Sequence, residues 1–100
     1  MITLLDAYIK ANQYICQGLI IDSCAEYKDY YAFQIRNRKE NYVLPGLIGV
    51  RKSTDKLCHI IFLTSNFCYA SWDYETGKPI SDDIGELIKK YSEKELKALA

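Results

Sequence analysis

The residues best suited to nucleophilic or metal chemistry are four cysteines and a single histidine: Cys16, Cys24, Cys58, Cys68 and His59. No two cysteines have the gap of two to four residues that zinc sites use. Cys58 and His59 are neighbours, so in a strand their side chains point to opposite faces and cannot act together. Cys68, on the next predicted strand, could still reach His59, the minimum for a thiol nucleophile. Because cysteine in an apolar strand is more often a small core residue, we expect no catalytic residue, no metal and no cofactor.

Paired carboxylates are the other route to an enzyme. Asp82 and Asp83 open a predicted helix, where the helix dipole and the capping positions favour acidic residues. Asp73 and Glu75 should share one face of a strand, but acidic residues on an edge strand also discourage aggregation. The five glycines form no phosphate-binding loop. We therefore expect a protein that is not an enzyme.

Composition excludes further classes. A chain of 100 residues, 49% hydrophobic and 26% charged, suits one globular domain over residues 1–100. Thirteen basic residues balance thirteen acidic ones, which argues against a nucleic-acid partner even where residues 30–42 interleave aromatic and basic side chains. The first ten residues contain Asp6 and no basic leader, and no apolar run is long enough to cross a bilayer. We expect a cytoplasmic protein with reduced cysteines and no membrane partner.

Three elements are predicted in the first part of the chain. Thr3 followed by Asp6 indicates a helix N-cap, and apolar residues then recur at helical spacing. These signals predict an amphipathic helix over residues 3–16 that ends near Gly18. Residues 19–27 begin with branched apolar side chains and predict a strand, and residues 30–38 alternate apolar and polar side chains as a half-buried strand does.

The remaining elements complete a predicted α+β fold. Residues 42–50 form a strand that Pro45-Gly46 bends or bulges, and residues 57–64 form a hairpin with residues 67–74. After Pro79, four apolar residues at helical spacing predict a C-terminal helix capped by Asp83 and Glu86: Ile84, Leu87, Ile88 and Tyr91. Ser92 with Glu95 could start a last turn. The fold is thus a single two-layer domain, a meandering and mostly antiparallel sheet of four to five strands with helices over one face.

One strand is unusually aromatic. Residues 66–80, NFCYASWDYETGKPI, place four aromatic side chains within eight residues: Phe67, Tyr69, Trp72 and Tyr74. Strand alternation leaves neither face of this segment plainly polar. A small domain that cannot bury both faces of its sheet leaves one for a partner or a second copy. Packing inside the core and binding to a partner or in a dimer both remain open.

Several segments together resemble a family of small bacterial immunity proteins from polymorphic toxin systems. The opening block MITLLDAYIKANQY is similar to the family's D-A-x-x-K-A-N helix. YYAFQI corresponds to its strand with an aromatic-x-F motif, and LIGVRKSTDKL to its buried strand and polar turn. TGKPI corresponds to its K-P-[IL] element before the last helix.

The resemblance implies a non-enzymatic inhibitor that binds and neutralises a cognate toxin protein. Such an inhibitor needs a rigid scaffold and an aromatic, hydrogen-bonding face with charges that set the register. The candidate partner-binding residues lie on the predicted sheet: Tyr30, Gln34, Arg36, Trp72, Asp73 and Tyr74. The alternative is a small homodimeric or chaperone-like binding protein that uses the same face without a dedicated toxin partner.

Overall fold

The computed structural model describes residues 1–64 and 67–99, with the side chains of residues 45, 62–64, 67–72 and 79–83 left out. Two helices and seven strands occur in the order α1, β1 to β7, α2. Their bounds are α1 Leu4–Tyr14, β1 Leu19–Tyr27, β2 Tyr30–Asn37, β3 Tyr42–Arg51, β4 Leu57–Thr64, β5 Phe67–Asp73, β6 Pro79–Asp83, β7 Leu87–Ser92 and α2 Glu93–Lys97.

The strands form one antiparallel sheet in the order β6-β5-β4-β3-β2-β1-β7. The first six strands are a meander in which each pairs with the next, and β7 then pairs with β1 at the far edge. Opposite the step from Gln34 to Arg36, β3 runs from Leu47 to Val43, so β3 holds extra residues there. This irregularity contains Pro45-Gly46 and confirms the predicted bend.

The sheet is strongly curled. Its edge strands β6 and β7 are joined by only three residues, 84–86. A flat sheet of this size would hold its edges about 29 Å apart at about 4.8 Å per strand, whereas such a connection reaches about 14 Å. Backbone hydrogen bonds from Lys28 N to Glu86 O (2.9 Å) and from Asp29 N to Ile84 O (3.2 Å) fix this connection against the turn between β1 and β2.

Each face of the curled sheet has its own apolar cluster. On the outer face, Ala7 and Ala11 of α1 and Leu96 of α2 join the larger cluster, which includes Phe33 and Val50. On the inner face, side chains of β2, β3, β4 and the 84–86 connection form a second cluster of six residues: Tyr30, Ala32, Leu47, Cys58, Ile60 and Ile84. Both helices therefore cover one face, as predicted, and the sheet curls around the other.

The predicted α+β class, the N-terminal helix, the antiparallel meander and the hairpin of residues 57–64 with 67–74 are confirmed. The Thr3 cap is also present, since Thr3 Oγ1 accepts from Asp6 N at 3.2 Å. Among the described residues, neither helix combines the length and the apolar character needed to cross a membrane.

The predicted long C-terminal helix is wrong. Residues 79–83 and 87–92 are strands, so the sheet has seven strands rather than four or five, and only Glu93–Lys97 is helical. The expected cap at Asp83 and Glu86 does not form because no helix starts there. The last turn does begin at Ser92, where Ser92 and Glu95 form a capping box.

Candidate functional site

The structure separates the predicted partner-binding residues. Gln34 and Arg36 lie on β2, which is flanked by β1 and β3. Asp73 and Tyr74 lie at the end of β5, toward the other edge of the sheet. The backbone of Trp72 pairs with His59 and Pro79, and its side chain is outside the described residues.

Tyr30 is buried, with 2% of its surface exposed, and it belongs to the inner cluster. A partner could not reach this ring without opening the sheet. Alternation explains the difference, because Tyr30 and Ala32 share the inner face that the curled sheet encloses. We therefore leave Tyr30 out of the candidate binding surface.

Arg36 holds elements of the scaffold together. Its Nη2 lies 2.8 Å from Glu93 Oε2 at the start of α2, and its Nε lies 3.2 Å from Asp22 Oδ1 on β1. The Nε contact lacks hydrogen-bond geometry, so it contributes as a charge contact only. Lys97 also lies 2.8 Å from Glu93, and these neighbours lower the pKa of the Glu93 carboxyl, with the Lys97 hydrogen bond the largest cause.

Asp73 shapes the turn between β5 and β6. Its Oδ1 accepts from the backbone N–H groups of Glu75 (2.8 Å) and Thr76 (3.3 Å). Gly77 N donates to Asp73 O at 2.9 Å and closes the turn. This carboxylate is used within the chain, in the manner of an Asx turn, and it fixes the backbone next to Tyr74.

Tyr74 is the predicted residue that lines a cleft. Its ring stacks on Tyr14 at the end of α1, with centroids 4.6 Å apart and an angle of 23° between the rings. His59 of β4 lies on another side, at 6.4 Å between centroids. Burial, with Tyr14 and Cys58 nearby, raises the pKa of the Tyr74 hydroxyl to about 12, so Tyr74 stays neutral at physiological pH.

The cleft has a volume of about 270 Å³ and is mainly apolar. It opens where α1 ends above the bulged part of β3, and its lining combines side chains and backbone of these elements: Tyr14, Ile15, Cys16, Leu19, Ile35, Leu44, Gly46, Leu47, Ile48, His59 and Tyr74. None of these residues carries a carboxylate, a lysine or an arginine. The cleft is therefore suited to an uncharged, apolar or aromatic group.

The absence of a side chain at Gly46 leaves room for the His59 ring, which lines the cleft. The φ of Gly46, +78°, lies in the left-handed region, and a Cβ built there would lie 2.2 Å from His59 Nε2. The imidazole therefore lies directly over the glycine backbone. The Pro45-Gly46 bulge thus positions His59 at the cleft, a role that the sequence did not reveal.

The end of the molecule around the cleft also exposes apolar side chains that sequence analysis missed. Tyr14 is 47% exposed, Tyr42 43% and Val43 44%. Alternation along β3 places Tyr42 on the same face as Leu44, which lines the cleft. We call Tyr14, Tyr42 and Tyr74 the aromatic rim. A signal existed for Tyr14, since Ala7 and Ala11 are the buried residues of α1 and Tyr14 continues their helical spacing.

The cysteines and His59 do not form a catalytic pair among the described side chains. Cys58 is buried in the inner cluster while His59 faces the cleft on the other side of β4, which confirms the predicted alternation. Cys24 is buried, and burial raises the pKa of its thiol to about 12. Cys16 is exposed at the cleft, and the Cys68 side chain lies outside the described residues. Within the described part of the chain, no cluster of His, Cys, Asp or Glu could hold a metal ion.

The aromatic rim and its cleft form a preformed surface that offers stacking, apolar contact and tyrosine hydroxyls. These properties match protein recognition, in which tyrosine contributes much of the binding energy. Comparison of the chain with protein-family models, with curated proteins and with solved structures gives no match in any of the three.

Proposed function

We propose that this chain is a non-enzymatic, cytoplasmic immunity protein that binds and neutralises a bacterial toxin, and that the aromatic rim contacts the toxin. The observation that carries the surface assignment is the stacked Tyr14–Tyr74 pair beside an apolar cleft. The toxin as partner is supported by the resemblance of the N-terminal helix and of the strand motifs to the immunity family.

The ionisable side chains at the other predicted positions support binding over catalysis. Arg36 is engaged with Asp22 and Glu93, and the Asp73 carboxylate accepts from the adjacent turn. A rigid surface whose charges are already compensated loses little conformational entropy when it binds. Inhibition by occlusion requires nothing more than such a surface.

Tyr74→Ala and Tyr14→Ala should each weaken the complex. Central tyrosines in protein interfaces contribute about 2 kcal/mol or more, equivalent to a loss of roughly thirtyfold in affinity. Ile9→Ala is the matched control, because Ile9 is also on α1 and similarly exposed at 46% but does not line the cleft. Calorimetric titration with the captured partner measures all three, and thermal unfolding checks that each variant folds.

The partner is first isolated by affinity capture of the tagged chain from lysate of its native cell. The proposal expects one stoichiometric protein with a C-terminal domain that stops bacterial growth when expressed alone. Co-expression of this chain should restore growth, and co-expression of Tyr74→Ala should restore it less. Recovery of only the chain itself, or of many unrelated proteins, would overturn the toxin assignment and favour the homodimeric or chaperone-like alternative.

A further inference from the structure

The strand β7 is one edge of the sheet in the described part of the chain. Its inner side pairs with β1 from Leu87 to Ser92, and it is the last strand of the sheet on that side. In the described ranges 1–64 and 67–99, no ladder joins its outer side to another strand. Such an edge is a template for one more strand.

The exposed side chains of β7 are unusual for an edge strand. Leu87 is 48% and Ile88 60% exposed, two large apolar residues in succession. The two charged side chains of β7 are lysines, Lys89 and Lys90, and both are exposed. Lysines on an edge strand protect it from aggregation, but exposed apolar residues such as Leu87 and Ile88 do not. Protection alone therefore does not explain the side chains of β7.

A cavity of about 330 Å³ adjoins this edge on the inner face. Lys90 and Leu87 of β7 line it together with Tyr27 and Gln34. Ser23 Oγ donates to Gln34 Oε1 at 3.3 Å on its floor. An added strand directs alternate side chains toward one face of the sheet, so every second side chain of an occupant would face this cavity.

The charge of β7 decides which occupant fits. Opposite residues of an antiparallel pair share a face of the sheet, so two β7 strands related by a twofold axis near their centre would place Lys89 opposite Lys89 or Lys90 opposite Lys90, and like charges directly opposite are destabilising. A strand that carries a carboxylate opposite one of these lysines would instead be attracted to the edge. We propose that β7 binds an extended, acidic segment of another protein, which adds to the sheet as an eighth strand and places alternate side chains in the adjoining cavity.

The scaffold holds β7 in place for such binding. Tyr91 Oη donates to Glu26 Oε1 at 3.0 Å, and the same carboxylate lies 2.7 Å from Lys52 Nζ. Ser92 caps α2, and Glu93 pairs with Arg36 on β2. The edge is therefore ordered before an occupant arrives, which lowers the entropic cost of strand addition. The site is distinct from the aromatic rim and does not depend on the immunity assignment.

The test uses two synthetic peptides, one in which valine and threonine alternate with glutamate and a counterpart with lysine in place of glutamate. The acidic peptide should bind saturably and protect the amide hydrogens of Leu87–Ser92 that point away from β1, measured by NMR hydrogen exchange. The resonances of Gln34 should shift with it. The lysine peptide should bind about tenfold more weakly or not at all.

Variants separate charge from general effects. Lys89→Glu combined with Lys90→Glu should reverse the preference between the two peptides, whereas Lys94→Glu, a nearby exposed lysine on α2, is the matched control and should leave it unchanged. Absence of saturable binding, equal affinity for both peptides, or protection away from β7 would each overturn the proposal. Light scattering of the protein alone provides a further test. A molar mass that rises toward that of a dimer with increasing concentration would identify a second copy as the occupant and would also overturn the proposal.

Discussion

Lys52 is the one buried charged residue in the described part of the chain, at 7% exposure. Its Nζ lies 2.7 Å from Glu26 Oε2 and 4.8 Å from the centre of the Tyr31 ring. Glu26 in turn accepts from Tyr91 on β7. The hydrogen bond from Lys52 is the main reason that the pKa of the Glu26 carboxyl is lowered. This cluster connects the turn after β3 to β1 and β7.

Substitution of Lys52 should show how much this cluster contributes to the stability of the fold. Lys52→Met keeps most of the apolar stem but leaves Glu26 without its hydrogen-bonded lysine, and breaking a buried pair in this way costs about 3 kcal/mol. We expect the free energy of unfolding, measured by urea denaturation near neutral pH, to fall by that amount.

The control is Lys10→Met. Lys10 lies 3.4 Å from Asp55, and the two side chains are 30% and 59% exposed, so the same substitution there should cost less than about 1 kcal/mol. Equal losses at the two positions would mean that Glu26 is adequately solvated without Lys52 and that the cluster is not a stabilising feature.

The bulged part of β3 lines the cleft and lies against His59. Gly46→Ala introduces both a strained positive φ and a Cβ that meets His59. Gly77→Ala introduces the strain alone, because Gly77 has φ +68° and no atom within 4 Å of the built Cβ. The comparison therefore isolates the contact between the bulge and His59.

Gly77→Ala should lose about 1 kcal/mol of stability from the backbone. Gly46→Ala should lose about 1 kcal/mol more, because His59 must leave its rotamer. It should also shift the NMR resonances of the His59 ring, which Gly77→Ala should not do because nothing lies within 4 Å of the Cβ built at Gly77. Equal stability losses and an unchanged His59 ring would show that the imidazole does not contact the bulge and does not define the cleft.

The strands of the meander could be predicted because each is bounded by local signals. Polar turns and alternating side chains placed β1, β2 and β4 within a residue of their observed ends. The helix α1 followed from its Thr3 cap and from apolar residues at helical spacing, and its buried residues are Ala7 and Ala11. These signals depend only on neighbours in the chain, and tertiary contacts did not override them.

The C-terminal segment could not be predicted in the same way because its pattern fits two structures. The apolar residues from Ile84 to Tyr91 have helical spacing, yet Ile84 is 1% exposed while Leu87 and Ile88 are the exposed residues. A helix would have buried all of them on one side. The segment is a strand because it pairs with the edge of β1, whose residues lie at least sixty positions earlier in the chain.

The candidate site was predicted only in part for a related reason. Tyr74 was identified from its aromatic segment, but its stacking partner Tyr14 lies on α1, sixty residues earlier. No local pattern indicates that the end of a helix will meet the end of the fifth strand. The burial of Tyr30 was not predicted, because a curled sheet encloses an inner face that a flat sheet would leave open to solvent.

For the whole molecule, alkaline pH should be destabilising, because several tyrosines ionise less readily in the fold than when unfolded. Burial is the largest cause for all of them: it raises the pKa of Tyr31, and those of Tyr74 and Tyr91 to about 12. A group with a raised pKa in the folded state contributes stability that is fully present below its unfolded pKa, about 10. That contribution is lost as the pH rises from about 10 through 12.

Tyr91→Phe tests the contribution of one hydroxyl. Near neutral pH the variant should be less stable by about 1 kcal/mol, because Glu26 loses a donor. As the pH rises from about 10 to 12, the difference from the wild type should shrink, since the wild type loses what Tyr91 contributed. Gly77→Ala, which removes no titrating group, should keep a constant difference over the same range. Urea denaturation at stepped pH measures both, and a difference for Tyr91→Phe that stays constant would show that its hydroxyl is solvated and that the Glu26 cluster does not hold β7 to the sheet.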